Sequence, residues 1–443
     1  MTAGVSPEAV PLPAAPPTLA EAARVWGRIG VLSFGGPAAQ IALMHRMVVE
    51  ERGWLTERQY LDALSFCMLL PGPEAMQLAT YAGWRMHGVR GGLVAGGLFV
   101  GPGALVIACL AALYVRFGDL AITGALFLGV KAAVLVIVIE ALLRVARRAL
   151  IGTEALVLAA LAFLALFIFA VPYPLIVAGA AVWGALRFRG RTARQESAPV
   201  EGVRPSRPII GTIRTTALWL GIWAAPLIAV GLLAPPVFGD MARFFSVLAT
   251  VTFGGAYAVL AYMTQEAVAT QGWLTTGEML DALGLAETTP GPLILVTEFV
   301  GFLAGHHAAP EGRAALLWGL GGALVTLWAT FAPCFLWIFA GAPWIDRIAA
   351  KPVLRAALAG VTAAVVGVIA NLSLWFGLHV LFGVVDTYQT GPLRIAVPEL
   401  ASLDWRSGVI SLVATVMLLR WHRGVPLTLA VCSACGMGML ALG

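Results

Sequence analysis

The stretch FGGPAAQIALMHRMVVEERGWLTERQYLDALSFCMLLPGP, residues 34–73, recurs in related form at residues 253–292. The two copies align without a gap at an offset of 219 positions, and 18 of the 40 aligned pairs are identical, including FGG, GWLT, LDAL and PGP. Further along the chain the offset becomes 231, and Pro102 then aligns with Pro333. A repeat of this length indicates two copies of one structural unit, which decides the architecture of the chain.

The composition places both copies in a membrane. The chain has 443 residues, of which 60% are hydrophobic and 12% charged, and its mean hydropathy is +0.89. Soluble domains carry about 25% charged residues. The composition therefore excludes a soluble enzyme and a disordered chain, and the net charge of +5 lies in connecting segments rather than in a nucleic-acid-binding patch. We predict an all-α, polytopic integral membrane protein in contact with membrane lipid, and no nucleic-acid partner.

Apolar segments predict about thirteen transmembrane helices, because about 20 apolar residues cross the hydrocarbon core of a membrane. They lie near residues 24–48, 61–84, 89–115, 120–143, 153–170, 172–187, 216–234, 242–264, 281–304, 314–341, 354–383, 407–420 and 425–442. The fifth, the sixth and the last two are short. Whether 407–420 crosses decides the side of the C-terminus.

Four regions follow from these segments. Residues 1–23 begin with a proline-rich run and are predicted to be a flexible cytoplasmic tail. Residues 24–187 form the N-terminal repeat. Residues 188–214 form an Arg- and Pro-rich cytoplasmic linker, and residues 215–443 form the C-terminal repeat.

The positions of the cations predict the orientation of the repeats. Arginines and lysines concentrate in alternate connections and in the linker, so these and the N-terminus are predicted to be cytoplasmic. The additional segment at 216–234 leaves seven crossings, an odd number, between the first span and its equivalent. We therefore expect two repeats of inverted topology, as in many secondary transporters.

Glycines and prolines interrupt equivalent spans of both repeats at the midplane. Gly-Gly pairs occur at 35–36 and 254–255, and Pro-Gly-Pro triplets occur at 71–73 and 290–292. A Pro-Gly-Pro triplet should break a helix, and each helix that restarts there offers free amides and a positive dipole end to an anion. Discontinuous helices and an oxyanion site are therefore expected at the midplane. The alternative is that these residues only kink packed helices.

Lys131 is the expected cationic ligand for such an anion. It lies in the middle of the fourth predicted span, where a charged side chain usually faces a cavity or a partner. The alternative is a structural ion pair, for example with Glu74 or Glu140. Gln77, on the same helical face as Glu74, adds an amide donor.

Glu74 and Glu287 adjoin the two triplets and are candidates for proton coupling, because acidic side chains at that depth are often proton carriers. Glu298 is a third candidate. The alternative roles are capping of the restarted helix by Glu74 and local hydrogen bonding by the other two.

Motifs for nucleotide, metal or hydrolase chemistry are missing from the sequence. Cys432 and Cys435 form a C-x-x-C, but they lie in an apolar run of small residues, which favours helix packing. We therefore predict no cofactor, no metal site and no enzymatic activity. An integral-membrane enzyme acting on a lipid phosphate is the alternative from another functional class.

Three segments carry a family resemblance: SFGGPAAQIALMHR at 33–46, FCMLLPGPEAMQLATYAGWRMHG at 66–88 and GLAETTPGP at 284–292. They strongly resemble the chromate ion transporter family in its long, two-domain form, over nearly the whole chain. The family's motif positions in this sequence are Ser33, Phe34, Gly35, Gly36, Pro37, Gln40, Pro71, Gly72, Pro73, Glu74, Gln77, Tyr81, Lys131, Phe253, Gly254, Gly255, Glu287, Thr288, Thr289, Pro290, Gly291 and Pro292. Gly101 and Glu298 depart from the pattern, and the second departure weakens the coupling argument for Glu298.

The resemblance implies a secondary transporter of the bacterial inner membrane that exports chromate, uses the proton motive force or membrane potential, and confers chromate resistance. Sulfate is an expected competitor, and uptake of sulfate or another oxyanion is the alternative function. A monomer and a homodimer both stay open. The expected substrate-binding residues are Ser33, Phe34, Gly35, Gly36, Gln40, Gly72, Glu74, Gln77, Lys131, Gly254, Gly255, Thr288, Thr289 and Gly291.

Overall fold

The computed structural model describes residues 17–188, 209–253, 255–311, 314–345, 351–391 and 393–442. Residues 1–16 of the predicted tail, residues 189–208 of the predicted linker and Gly254 lie outside the described residues. The first helix begins at Leu19 and is capped by Thr18. Helical structure therefore starts five residues before the predicted boundary at residue 24.

The prediction of an all-α membrane protein is confirmed, since the described residues form sixteen α-helices and one small β-hairpin. In chain order the helices are α1 (Leu19–Leu32), α2 (Gly36–His45), α3 (Glu57–Cys67), α4 (Glu74–Phe117), α5 (Ala121–Ala149), α6 (Thr153–Phe167), α7 (Tyr173–Arg187), α8 (Ile209–Leu233), α9 (Pro236–Val251), α10 (Ala256–Thr264), α11 (Thr276–Thr288), α12 (Val296–His307), α13 (Ala315–Gly341), α14 (Pro352–Leu381), α15 (Trp405–Thr415) and α16 (Val425–Leu442). Of these, α4, α5, α8, α13 and α14 are long and apolar enough to cross a membrane.

Two antiparallel strands, β1 (Val385–Thr390) and β2 (Leu393–Pro398), lie between α14 and α15. The sequence predicts no strand in this segment. The strands are short and mostly exposed, so no apolar alternation marks them in the sequence.

Helix α4 consists of two antiparallel arms. The backbone leaves helical geometry at His87 and Gly88, and residues 74–86, the short arm, then lie beside residues 89–117, the long arm. A Cβ atom at Gly83 would lie 2.3 Å from the carbonyl oxygen of Gly91, so the arms approach more closely than any other residue would allow.

Two predicted spans of the second repeat fold back on themselves. The rings of Phe244 in α9 and Tyr262 in α10 have centroids 5.2 Å apart, whereas a straight helix would separate these residues by about 27 Å. His307 at the end of α12 lies 3.1 Å from Glu278 at the start of α11, where a straight helix would place them about 44 Å apart. Thus α9 with α10, and α11 with α12, form helical hairpins.

The first repeat contains the equivalent hairpin of α3 and the short arm of α4. The rings of Phe66 and Tyr81, on its two sides, have centroids 6.5 Å apart. The helices of these hairpins have 9 to 16 residues, about 14 to 24 Å, too short to cross about 30 Å of hydrocarbon. The predicted spans 61–84, 242–264 and 281–304 are therefore hairpins of two short helices rather than single helices.

Corresponding helices of the two repeats run antiparallel where they meet. The long arm of α4 corresponds to α13 at the offset of 231. Gly96 of the long arm lies against Phe335 of α13. Gly92, four residues earlier in the chain, lies against Phe339, four residues later. This is the relation that inverted repeats require.

Local structure is also repeated. Both α2 and α10 continue into a π-helical turn, at Arg46–Glu50 and Gln265–Thr270. Thr56 and Thr275, which are equivalent, each start the next helix with a capping box. The same sequence signals therefore form the same helix ends in both repeats.

The remaining helices join the repeats to each other. Helices α6 and α7 of the first repeat pack on α14 of the second, and α15 and α16 of the second repeat pack on α5 of the first. Helices α5 and α14 are thereby each supported by the end of the other repeat.

Candidate functional site

The helix breaks occur at the predicted glycines, and each break needs glycine. The backbone angle φ is positive at these glycines: 86° at Gly35, 78° at Gly36, 114° at Gly72, 106° at Gly255 and 96° at Gly291. Residues with a Cβ atom rarely adopt this conformation. The breaks are therefore sharp changes in backbone direction rather than gentle kinks, and we call the residues at each break a tip.

The tips of the two repeats bind each other reciprocally. The amide of Gly72 donates to the carbonyl oxygen of Thr252 at 2.9 Å, and the amide of Gly291 donates to that of Ser33 at 2.8 Å. Gly72 and Gly291 are equivalent, as are Ser33 and Thr252, so both repeats make the same bond. Reciprocal contacts of this kind are the signature of two-fold symmetry between units.

The tips enclose a cavity of about 20 Å³, close to the space that one water molecule needs. Four helix starts border it: those of α2, the short arm of α4, α10, and the 3₁₀ turn Leu293–Leu295 that leads into α12. The lining residues are Pro37, Gln40, Gly72, Pro73, Glu74, Ala75, Thr252, Gly255, Ala256, Pro292, Leu293 and Ile294. We call this the tip cavity.

The tip cavity has a positive field despite the lack of a cationic lining residue among the described residues. The first amides of a helix have no acceptor within that helix, and its start behaves as about half a positive charge. Four helix starts from both repeats border the cavity. Glu74 is the only ionisable residue among those that line it.

The structure brings several predicted site residues to the tip cavity. Gln40, Gly72, Glu74 and Gly255 line it directly. Gln40 also donates from Nε2 to the carbonyl oxygen of Gly291 at 2.6 Å. Gly35 and Gly36 form the start of α2, and Ser33 and Gly291 join through the bond between the tips.

Other predicted ligands have local partners instead. Gln77 is buried and donates from Nε2 to the carbonyl oxygen of Pro71 at 2.6 Å, so it holds the turn of the first triplet. The Thr288 hydroxyl donates to the carbonyl oxygen of Leu285, and Thr289 ends α11. Phe34 is 40% exposed. None of these four side chains lines the tip cavity.

Lys131, which is predicted to be the cationic ligand of the anion, does not line the tip cavity. Its Nζ lies 3.1 Å from Oδ1 of Asp281 in α11, and Oδ2 of the same carboxylate accepts from the Tyr114 hydroxyl at 2.8 Å. The alternative of a structural ion pair describes this geometry, but with neither proposed partner. Glu140 pairs with Arg144 on its own helix.

Glu287 is buried and accepts a hydrogen bond of 3.0 Å from the Tyr257 hydroxyl. Glu298 is 2% exposed, and its Oε2 has no hydrogen-bond partner among the described residues. Neither carboxylate lines the tip cavity, so of the three acidic candidates only Glu74 faces the converging helix starts.

The sequence does not predict Asp281 as the partner of Lys131, or the tyrosines Tyr114 and Tyr257 that donate to the carboxylates. It also does not predict Thr252 as the acceptor at a tip. A signal for Asp281 was present, because it belongs to the repeated LDAL motif and is an acid in an apolar segment. The tyrosines and Thr252 carry no such signal, since their roles depend on contacts with residues distant in the sequence.

Comparison with known proteins finds relatives that cover both repeats. A family model described as chromate transporter matches residues 20–185 and 239–439. A chromate transport protein of Pseudomonas aeruginosa is 32% identical over 380 residues, 83% of this chain and 82% of the relative. One of Cupriavidus metallidurans is 29% identical over 357 residues, 80% of this chain and 81% of the relative. No solved structure gives a significant match.

Proposed function

The chain belongs to the chromate transporter family, and we propose that it is a secondary transporter that exports chromate from the bacterial cytoplasm through the inner membrane. The observation that carries this proposal is the convergence of four helix starts, two from each repeat, on the tip cavity. Such a site needs no cationic side chain to attract a doubly negative ion.

Chromate is tetrahedral, and its four oxygens can each accept hydrogen bonds from a different helix start. Backbone amides respond to charge and shape rather than to the central atom of the ion. Sulfate, which has the same charge and shape, is therefore expected to compete. Gln40 adds an amide side chain to the same lining.

Glu74 couples this site to protons in our proposal. An ionised carboxylate at the start of the short arm occupies the positive field that the dianion needs, and repels it. Entry of chromate therefore favours protonation of Glu74, and departure of chromate favours ionisation. Glu287 lies off the cavity, so we assign the coupling role to Glu74.

Binding requires movement of the hairpins. The tip cavity has space for about one water molecule, and chromate needs more than that. In a transporter built from inverted repeats, one pair of tips withdraws while the other stays closed, so that the site opens to each side in turn. The reciprocal bonds between the tips are the contacts that break.

The membrane potential favours the outward direction. With the interior negative, export of two negative charges releases about 4.6 kcal/mol per 100 mV, enough for a roughly thousandfold gradient. One proton carried out on Glu74 leaves a single net charge and about 2.3 kcal/mol per 100 mV. Chromate resistance follows from this outward flux, with the basic connections and the N-terminus in the cytoplasm.

Flux in proteoliposomes with independently set pH and voltage tests the proposal. Chromate is expected to accumulate on the positive side, and added sulfate should slow it. Protein that moves sulfate but no chromate under either polarity would overturn the proposal in favour of the alternative, sulfate transport.

A further inference from the structure

The equivalent helices α3 and α11 have opposite surroundings. In α11, Leu280 is 4% exposed and Glu287 is 6% exposed. Their equivalents in α3 and just after it, Leu61 and Met68, are 48% and 58% exposed. The second-repeat hairpin is therefore packed against the protein, whereas the face of α3 that carries Leu61 is exposed.

Helix α11 is held against α5 and the long arm of α4 by a compact polar contact. The Lys131–Asp281 ion pair and the hydrogen bond from Tyr114 use both carboxylate oxygens, and the side chains of the ion pair are 24% and 12% exposed. One turn further along α11, a Cβ atom at Gly284 would lie 2.7 Å from Val130 Cγ1, so the two helices touch closely there.

The first repeat lacks the residues for the same contact. Asp62 is equivalent to Asp281, but Thr362 stands where the equivalent of Lys131 would be. The Asp62 carboxylate is 49% exposed, and its cationic neighbour is Arg58 of the same helix at 3.9 Å. When α3 packs on α14 as α11 packs on α5, Asp62 meets a hydroxyl instead of an ammonium group.

We propose that Asp281 is a gating residue of the transport cycle, and that Asp281, Lys131 and Tyr114 form a latch that closes the second-repeat hairpin alone. This inference rests on the proposed function, because a latch matters only where the hairpin opens during transport. In the opposite conformation α11 leaves α5 and the latch is broken, while closure of α3 has no ion pair to replace it. The latch therefore biases the protein toward the conformation described here.

Hydrogen–deuterium exchange of the purified protein measures this bias without any substrate. In the Asp281→Asn variant, which retains side-chain volume, amides of α11 should exchange about tenfold faster than in the wild type, since a partly buried ion pair is lost. Tyr114→Phe should act in the same direction but less. The matched control is Asp62→Asn at the equivalent exposed position, which should leave exchange unchanged. Unchanged exchange of α11 in Asp281→Asn would overturn the proposal.

Two further variants separate a latch from general damage to the fold. The charge-reversed pair Lys131→Asp with Asp281→Lys should restore slow exchange of α11. Thr362→Lys should create the missing latch and slow exchange of α3 about tenfold, and adding Asp62→Asn should abolish the gain. A Thr362→Lys effect that persists without Asp62 would contradict the proposal.

Transport measurements then distinguish the two proposals. Asp281→Asn and Thr362→Lys should change the turnover rate of chromate more than its KM, because neither residue lines the tip cavity. If the exchange effects occur but no variant and no wild-type protein moves chromate, the latch stands and the proposed substrate fails. If chromate moves and exchange of α11 does not respond, the latch fails alone.

Discussion

The hairpin of α11 and α12 and the hairpin of α3 with the short arm of α4 share the GWLT, LDAL and PGP motifs, yet their bases make different contacts. The start of α3 is held by α2, where His45 lies 2.6 Å from Glu57. His307 and Lys131 contact Glu278 and Asp281, one turn apart on α11. At the equivalents of His307 and Glu278 the first repeat has Gly88 and Gln59. The shared motifs thus make the tips, and residues that differ between the repeats decide which hairpin is closed.

The tips and the bases of the hairpins differ in symmetry. The reciprocal tip bonds are nearly equal in length, 2.9 and 2.8 Å, so the backbone of the site is close to symmetric. The bases of the hairpins are asymmetric. A transporter that alternates between two sides needs both properties, because the same site must be reached from either side.

The largest effect should come from the tip glycines. Gly72→Ala and Gly291→Ala should each lower chromate flux at least about tenfold, because alanine at a positive φ costs about 1–3 kcal/mol. The new methyl groups would also lie 2.9 Å from Gln77 Nε2 and 2.8 Å from Leu295 Cδ1. Flux in proteoliposomes measures the loss.

Gly101→Ala is the control for the tip variants, since it lies in the long arm of α4 with open space around it. Its flux should match that of the wild type. Equal losses at both tips support a shared site. If alanine is tolerated at one tip and not at the other, the two tips do not contribute equally to the tip cavity.

Glu74→Gln should have the next largest effect and concerns a real difference between the repeats, since the equivalent residue is Leu293. The variant should move two net charges per chromate instead of one, and its flux should lose its dependence on pH. Charge-to-substrate ratios under an imposed voltage measure both. Glu287→Gln removes an acid that lies off the cavity and should keep the wild-type ratio. The reverse result would transfer the coupling role to Glu287.

Gln40→Leu should have a moderate effect. It removes a 2.6 Å hydrogen bond to Gly291 and leaves that carbonyl oxygen short of a donor, which costs about 1–3 kcal/mol. Because Gln40 lines the tip cavity, the KM for chromate should rise about threefold to tenfold, with a smaller change in turnover. Val259→Ile, at the equivalent buried position, is the control. A change in turnover alone would remove Gln40 from the site.

The smallest effect concerns the clamp between His307 and Glu278, outside the predicted span 281–304. The two ring nitrogens of His307 face the Glu278 carboxylate and the Trp273 carbonyl oxygen, each at 3.1 Å. The hydrogen bond to Glu278 raises the pKa of His307 above 6.5, although burial opposes it. Burial favours a higher pKa for Glu278, but hydrogen bonds from His307 and Thr275 together hold that pKa below 4.5.

The clamp therefore stabilises the folded protein fully between about pH 4.5 and 6.5. The contribution of His307 is lost as the pH rises through its raised pKa, and that of Glu278 is lost as the pH falls through its lowered pKa. Since the pair is partly exposed, we expect about 0.2–1 kcal/mol. Melting temperatures of the wild type and His307→Gln should differ near pH 6 and converge near pH 9. His306→Gln is the control, and a difference that grows with pH would contradict the assignment.

The sequence predicted the positions of the helix breaks better than it predicted the path of the chain. The triplets and glycine pairs are local signals, because proline and glycine change the backbone wherever they stand, and the breaks occur there. Whether a broken helix continues or reverses depends on what packs beside it. Contacts such as Phe244 with Tyr262 cannot be derived from one segment alone, so three hairpins were expected to be crossings.

Lys131 shows a second limit of the sequence. A central lysine predicts a partner, and charge alone does not distinguish an anion from a carboxylate. The partner Asp281 comes from the other repeat, 150 positions away, and the packing of α11 on α5 brings it to Lys131. The sequence shows that Thr362 occupies the position equivalent to Lys131. Only the structure shows that this removes the partner for an ion pair with Asp62.

The most direct test is the position of chromate in the bound protein, located by the anomalous scattering of chromium in a crystal. Our account predicts one chromium atom among the starts of α2, the short arm of α4, α10 and α12, within hydrogen-bonding reach of Gln40 and of the tip amides. Chromium beside Lys131, with Asp281 displaced and the four helix starts unoccupied, would contradict it.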